Sequence, residues 1–502
     1  MRLFGLETEY GITREDIRDP DPVVESMELV RAYLARPFRQ EWDYSAEDPR
    51  QDDRGFRADR LAQDEEEERF EKEKDRQRPF SFQEMKSDLA LNNGARFYND
   101  HTHPEYSTPE CRSLFDLLLH DRAGERIVQE CADRRNASLG NPGVQIYKNN
   151  TDYKGHSYGC HDNYLLPRSV PFERISGGLI PFLVTRQIFA GAGKMGVESA
   201  DGYQPGVFQL SQRADFIEVE MSVDTMTRRP IINTRDEPHA DRSKYRRLHQ
   251  ILGDSNLAEY STALKVGTTW LVLRLIEEDA APPDAVIAEP VRSVHEVSHD
   301  ITCKKPVRLL SGKTPGPIDH QRIFLKAAQK RFGHEDDQET RWILNQWEQV
   351  LNDLEFRPET LSDRLDWAAK KWLLETYMEE EKAAWDDPRL VALDLEYHNL
   401  NPDRGLYHAL EASGRIQRLT AEQDVKKAIS QPPQDTRAAI RGLCLDRFHD
   451  QIASIQWEKV TFKNGFFRHE LDLKNLFDPD EISELRKKVQ EARNPGEIKS
   501  ST

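Results

Sequence analysis

Residues 96–111 read Arg-Phe-Tyr-Asn-Asp-His-Thr-His-Pro-Glu-Tyr-Ser-Thr-Pro-Glu-Cys, with carboxylates at Asp100, Glu105 and Glu110 and imidazoles at His101 and His103. Three carboxylates drawn together repel one another unless a cation sits among them. An oxygen-rich set of this kind suits a hard ion such as Mg2+. On spacing alone, a polar loop of solvated acids fits the same residues. The stretch opens with strand alternation, Phe97 and Asn99 on one face and Tyr98 and Asp100 on the other. Pro104 excludes a helix through its middle.

A second pair of acids stands at the N-terminus, where residues 3–12 also alternate. Leu6, Thr8 and Tyr10 share one face; Glu7 and Glu9 share the other. Two acids side by side on one face are costly in a core and tolerable on a solvated edge. Set beside Tyr98 and Glu105, they would complete a carboxylate cage for metal-bound phosphates.

The elements that must hold these strands follow from periodicity. Helical spacing is expected over residues 22–36, 111–137 and 257–278, and the chain turns mainly helical from residue 318. Residues 144–148, 158–166, 207–211, 216–222 and 229–234 read as strands. Residues 193–206 are glycine-rich and expected to be a loop; Gly-Ala-Gly at 191–193 lacks the Lys-Ser/Thr of a phosphate loop. Strands are followed by helices rather than alternating strictly with them, so the fold class is α+β with a mainly antiparallel sheet. A catalytic domain over 1–425 and a small C-terminal domain over 426–502 are expected, the last residues from Asn494 onward frayed. Between the two acid-bearing strands lies an insertion of about residues 40–82. Trp42, Tyr44 and Phe56 look like its anchors, while residues 64–78 are almost all charge and expected to be mobile.

Composition narrows the function. The chain has 502 residues, 37% apolar and 32% charged, and a net charge of −18, which argues against general nucleic-acid binding. No apolar run is long enough to span a bilayer: the richest, 177–192, is broken by Pro181 and Arg186. Strand-like sequence begins at residue 2, so no signal peptide is expected and the cytoplasm is inferred. Five cysteines are scattered without metal-ligand spacing and read as buried thiols.

At this point the motifs acquire a likeness. Gly-Leu-Glu-Thr-Glu-Tyr-Gly at 5–11, with Arg-Phe-Tyr-Asn-Asp and His-Pro-Glu-Tyr-Ser-Thr-Pro-Glu-Cys, resembles the family of Pup ligases and Pup deamidases/depupylases, relatives of glutamine synthetase. Further matches are Tyr-Lys-Asn-Asn at 147–150, Ser-Tyr-Gly-Cys-His-Asp-Asn-Tyr at 157–164, and Pro-Ile-Ile-Asn-Thr-Arg-Asp-Glu-Pro-His-Ala-Asp at 230–241. Tyr-Arg-Arg-Leu-His at 245–249 leads into Gly-Asp-Ser-Asn at 253–256, and the likeness spans about residues 2–445. It implies a curved, glutamine-synthetase-like sheet whose concave face holds ATP and Mg2+. It also implies a partner: Pup or a Pup-like modifier, with the proteins that carry it. Such a tag is acidic, so its groove should be locally basic, with Arg228, Arg229 and the run 242–247 as contributors.

Carried over by motif, the family's magnesium ligands fall on Glu7, Tyr98 and Glu105, its nucleotide contacts on Arg96 and Thr108, and its catalytic aspartate on Asp100. Glu9 is a further metal candidate. His161 resembles a residue approaching the nucleotide, or is a satisfied core histidine. Arg235 and His239 are candidate nucleotide contacts; Arg235 and Arg213 are candidate substrate anchors, with an ion pair to Asp236 or Glu237 as the plain alternative for Arg235. The family divides into a ligase, which joins the tag's terminal glutamate to lysine, and a hydrolase, which cleaves the terminal glutamine amide and the isopeptide bond. The long insertion and Leu419, where the ligase has a tryptophan against the nucleotide, point to an ATP- and Mg-dependent hydrolase. The alternatives are a Pup-type ligase or a small-molecule carboxylate-amine ligase.

Overall fold

A computed structural model describes residues 2–61, 72–74, 77–199, 202–225, 227–464 and 467–498. Its centre is an eight-stranded sheet in the order β10-β11-β12-β7-β1-β5-β4-β3. The strands are β1 (Phe4–Glu9), β3 (Leu89–Ala90), β4 (Arg96–Asp100), β5 (His103–Ser107), β7 (Cys160–Pro167), β10 (Val219–Ser222), β11 (Pro230–Asn233) and β12 (Tyr245–Gln250), while β2 (Gly11–Arg14) and β6 (Val144–Tyr147) pair with each other in a separate sheet. Every neighbouring pair is antiparallel except β10 with β11, as the expected α+β class requires.

Register decides which residues meet. Glu9 pairs with Glu105 and Glu105 with Tyr98; Glu7 pairs with Ser107 on one side and His161 on the other; His249 pairs with Asn163. Cross-strand partners point to the same face, as do residues two apart. One face therefore carries Arg96, Tyr98, Asp100, Glu105, Glu7, Glu9, His161, Arg247 and His249. The opposite face carries Phe4, Leu6, Phe97, Tyr106, Tyr164 and Leu248, all buried. Helices Leu114–Leu139, Phe172–Ala190 and Glu259–Glu277 contribute to the apolar clusters on that side. Among the described residues no helix is long and apolar enough to cross a membrane.

Residues 193–206 are not a loop. Most of them lie in a hairpin of β8 (Lys194–Ser199) and β9 (Gly202–Gln209). Gly196, one of the glycines of this stretch, occupies a bulge: its φ is +77° and the register shifts between Met195 and Val197. The C-terminal end is ordered further than expected. Pro495–Glu497 forms a turn and Ile498 is fully buried, its carbonyl accepting from His469.

Near the C-terminus, β13 (Ile452–Gln456), β14 (Lys459–Asn464) and β15 (Phe467–Asp472) form a three-stranded sheet. With helices Ala438–Phe448 and Pro479–Glu491 they enclose a separate apolar cluster, which Trp42 of the insertion joins. Glu110, expected in the acid cluster, turns away from it to tie this unit down. Arg437 donates to it at 2.6 Å and Arg441 at 2.7 Å. Burial alone would raise the Glu110 carboxyl; Arg441 and Arg437 pull it down to about 2 from an ordinary 4.5. Its folded value lies below its unfolded one. The stabilisation, about 3 kcal/mol for a shift of this size, is therefore complete above the ordinary value and lost as pH falls through the folded one. Glu110→Gln should lower the urea midpoint near neutral pH, with the gap to wild type closing in acid; a gap independent of pH would contradict the clamp.

Candidate active site

The site is assembled by the sheet register. Tyr98 donates its phenol to Glu105 at 2.9 Å, and Ser107 donates to the same carboxylate oxygen at 3.1 Å. Carboxylate oxygens of Glu9, Asp100 and Glu105 lie within 4.8 Å of one another. Burial, then Glu7, Asp100 and Glu9, push the Glu105 carboxyl well above its usual range. The charge on Glu105 is thus disfavoured by its neighbours, and a hard cation bound by these oxygen donors would relieve it. A second set, Glu7 with His161 and His249, lies within the same 4.8 Å limit. His161 Nδ1 is 3.2 Å from Glu7 and His249 Nε2 3.3 Å. Burial, then Arg247, lower the His249 imidazole to about 3, so it is neutral and able to ligate. Glu7 is held well below its ordinary value: burial opposes this and is overcome by His249, His161 and Arg247.

Asp100 stands at the edge of the acid set with its side chain 25% exposed. Lys86 Nζ donates to its Oδ1 at 2.5 Å, and His101 Nδ1 lies 3.3 Å away. Burial alone would raise this carboxyl, but Lys86 and then His101 bring it well below its usual value, so Asp100 is ionised. His101 itself has φ +55°, in the left-handed region within the two-residue turn between Asp100 and His103.

Beside Glu7 opens a cavity of about 590 Å³, part of it open solvent. Gly5 gives it a floor of bare backbone, and Thr108, His239, Arg247, Arg437 and Trp457 form much of its wall. Burial, then Arg247 and Arg437, hold the His239 imidazole well below its ordinary value and therefore neutral. His239 and Trp457 line this slot with ring centroids 6.4 Å apart. Thr108 lines the slot while its hydroxyl accepts from the Leu6 amide at 3.0 Å.

The structure alters several expected roles. Arg96 does not present a free fork. Its Nε and Nη2 are taken by Asp88 at 2.9 and 2.6 Å, and its guanidinium lies between the rings of Trp42 and Tyr98 at 4.2 and 4.0 Å. Arg235 pairs with neither Asp236 nor Glu237; it donates to the Val223 carbonyl at 3.2 Å and the Thr225 hydroxyl at 3.0 Å, because the β11 end turns it towards the loop after β10. Leu419 is not at the cavity. Its amide is bound by Glu259 at 2.6 Å and its side chain packs on the main helical core, behind the sheet. The tryptophan at the cavity is Trp457, which reasoning from sequence missed, so Leu419 carries no weight in choosing between ligase and hydrolase. Arg213 is 2% exposed, donates to the Ile251 carbonyl at 2.8 Å and has an Nε without a hydrogen-bond partner. Much of the proposed basic groove is spent internally: Arg229 donates to the Ser157 carbonyl, Arg246 faces Asp53 and Arg247 binds Glu7 and Asn163.

The insertion is a strap between two edges of the site. At one end Trp42 bridges to Ile455 and meets Trp457 edge-on at 5.5 Å. At the other, Asp52 accepts from the Thr234 hydroxyl at 2.5 Å, and Asp53 pairs with Arg168 at 2.7 Å. Phe56, expected to be an anchor, is 49% exposed with Arg54 over its ring; the aspartates do that work because arginines and a threonine await them. Most of the charged segment 64–78 lies outside the described residues. Trp42→Ala should therefore cost about 3–5 kcal/mol of stability and weaken nucleotide binding, whereas Phe56→Ala should leave both unchanged. Melting curves and calorimetry separate the two; equal effects would contradict this division of the strap.

Comparison with known proteins finds hydrolases and ligases of one family among the relatives. Residues 2–461 match the family model described as Pup-ligase protein. A depupylase of Acidothermus cellulolyticus is 46% identical, over 92% of this chain and 91% of its own. A Pup deamidase/depupylase of Mycolicibacterium smegmatis is 44% identical, over 93% of this chain and 92% of its own. The Pup ligase PafA in complex with ADP superposes with a TM-score of 0.74 at 32% identity, covering 87% of this chain and 96% of that one.

Proposed function

This chain belongs to the Pup-ligase family, and from that premise we propose that it hydrolyses amide bonds at the end of the Pup modifier. It deamidates the terminal glutamine of Pup or a Pup-like tag and cleaves the isopeptide bond between tag and substrate lysine. Its depupylase relatives match it along nearly their whole length, which supports the hydrolase branch. The long strap agrees with that branch.

It binds a nucleotide, which we take to be ATP, in the slot beside Glu7, whose lining includes the rings of His239 and Trp457. Thr108 and the Gly5 backbone border the same slot. Glu7, Glu9, Glu105 and the Tyr98 phenol would hold Mg2+, with His161 and His249 beside Glu7 as further donors; bound there, the ion would neutralise phosphate charge. Arg213 is proposed to face the substrate from the Glu9 end.

Hydrolysis adds water across the amide: the carbonyl carbon gains the hydroxyl, the C–N bond breaks, and nitrogen leaves with a proton as ammonia or as the lysine amine. Asp100 supplies the ionised oxygen that such a step needs, either attacking the carbonyl or taking a proton from water. The observation that carries this reading is the Asp100 carboxylate itself, ionised, partly exposed and on the same face as the acid set. The division into a catalytic domain over 1–425 and a C-terminal unit over 426–502 is supported by the separate apolar cluster, which lends Trp457 to the slot. All five cysteines are free and buried, which supports a reducing compartment, the cytoplasm.

The test is a tag–protein conjugate incubated with the chain, ATP and Mg2+ and resolved by mass. Release of intact protein and of tag ending in glutamate is expected; an untouched conjugate would overturn the proposal.

A further inference from the structure

Lys86 is the residue nearest Asp100 that the reaction has so far not used. It lies in the short helix Phe82–Lys86, where the strap returns to the sheet, and that helix is tightly fixed. Ser81 and Glu84 cap its start reciprocally. Arg31 binds the Ser87 hydroxyl at 2.8 Å and the Glu84 carbonyl at 2.9 Å, while Asn99 of β4 donates to the Met85 carbonyl at 3.0 Å. Ser87, with φ +45°, ends the helix at once, leaving Lys86 as its last residue. A lysine stem loses considerable rotamer freedom when fixed, and here the Tyr98 ring below the ammonium, at 5.4 Å, helps to hold it. The ammonium meets Oδ1 of Asp100 with its side chain only 17% exposed.

The contact matters because of what else is close. Asp100 oxygens lie near enough to those of Glu9 and Glu105 to join the same cation. A carboxylate bound to a metal ion is held by it and no longer faces an amide. We propose that Lys86 is a positioning residue: by binding one Asp100 oxygen it withholds that carboxylate from the cation set and leaves the other oxygen aimed at the scissile amide. This rests on Asp100 as the group that acts on the amide.

The experiment compares Lys86→Met, Lys86→Arg and Asp100→Asn in the full chain. It measures steady-state tag hydrolysis, Mn2+ affinity in the presence of ADP, and melting temperature. Lys86→Met should lower kcat by about 10- to 100-fold, the scale of a small misplacement of a reacting group. KM for the tag should stay within about threefold, because the ground-state contacts to the tag are kept. Mn2+ should bind more tightly to Lys86→Met than to wild type, since the released carboxylate becomes an added ligand. Lys86→Arg, which keeps the charge, should recover most of kcat and return Mn2+ affinity to the wild-type value. A purely structural lysine would instead lower the melting temperature with no gain in Mn2+ affinity, and that result overturns the proposal, as does an unchanged kcat in Lys86→Met. The two readings fail separately: an active Asp100→Asn sinks the role of Asp100, while an inactive Asp100→Asn beside a fully active Lys86→Met sinks only that of Lys86.

Discussion

Asp100→Asn is expected to remove tag hydrolysis while leaving nucleotide affinity within about threefold of wild type. Asparagine keeps the shape and most of the hydrogen bonding, but it has no ionised oxygen to attack a carbonyl or accept a proton. Loss of a base alone costs about 100- to 10,000-fold, and loss of a nucleophile costs at least as much. The slot beside Glu7 is lined by neither Asp100 nor its partners Lys86 and His101, so binding there should not register the change. Lys86 would then face a neutral amide with its ammonium mostly buried, and a fall in melting temperature should accompany the loss of activity. Turnover near the wild-type rate, measured on a glutamine-ended tag, would remove Asp100 from the chemistry.

The second large effect concerns the acid set. Glu105→Gln should weaken binding of the Mg–nucleotide complex by at least about 100-fold, more than the loss of an outer partner of a metal ligand typically costs. The same substitution should raise the melting temperature of the metal-free protein. Burial and three neighbouring carboxylates oppose the charge on Glu105, so a neutral amide relieves repulsion by about 0.5–2 kcal/mol, the usual reward for relaxing a strained functional site. Glu7→Gln should lose affinity without that gain. Glu7 is stabilised as an anion, and Arg247, at 2.9 Å and 13% exposed, would lose its nearest carboxylate. Calorimetry and melting curves on both variants test this, and equal stability changes in the two would contradict the electrostatic picture.

The part of the site legible in the sequence is the part that strand alternation sets locally. Glu7 and Glu9 fall on one face of β1, and Tyr98 and Asp100 on one face of β4, because side chains alternate with a period of two whatever the rest of the chain does. The antiparallel pairing of β1 with β5 and of β5 with β4 then brings them together. Contributions from distant sequence were hidden. Arg247 and His249 reach Glu7 only through the register of β12 on β7 and β7 on β1, which nothing local announces. Trp457 comes from the C-terminal unit, which no local pattern links to β1, whereas Leu419, 38 residues earlier, packs behind the sheet. Glu110 looked like a third member of the acid set from spacing alone, but the chain leaves β5 at Ser107 and turns Glu110 towards Arg437 and Arg441. The strap was read by its aromatics; its far anchors are Asp52 and Asp53, which hold Thr234 and Arg168, more than 100 residues away in the chain. Charged residues in an insertion look solvated until their counter-ions are placed, and only the fold places them.

On this face water, not an amine, is expected to accept the tag's acyl group. The most direct measurement supplies the chain, ATP, Mg2+, a glutamine-ended tag and a lysine-bearing acceptor protein in water enriched in 18O, and weighs every product. Expected are tag whose terminal carboxyl carries oxygen from the solvent, free ammonia, and an unmodified acceptor. Tag joined to the acceptor's lysine with no solvent oxygen taken up, or glutamine left intact, would contradict it.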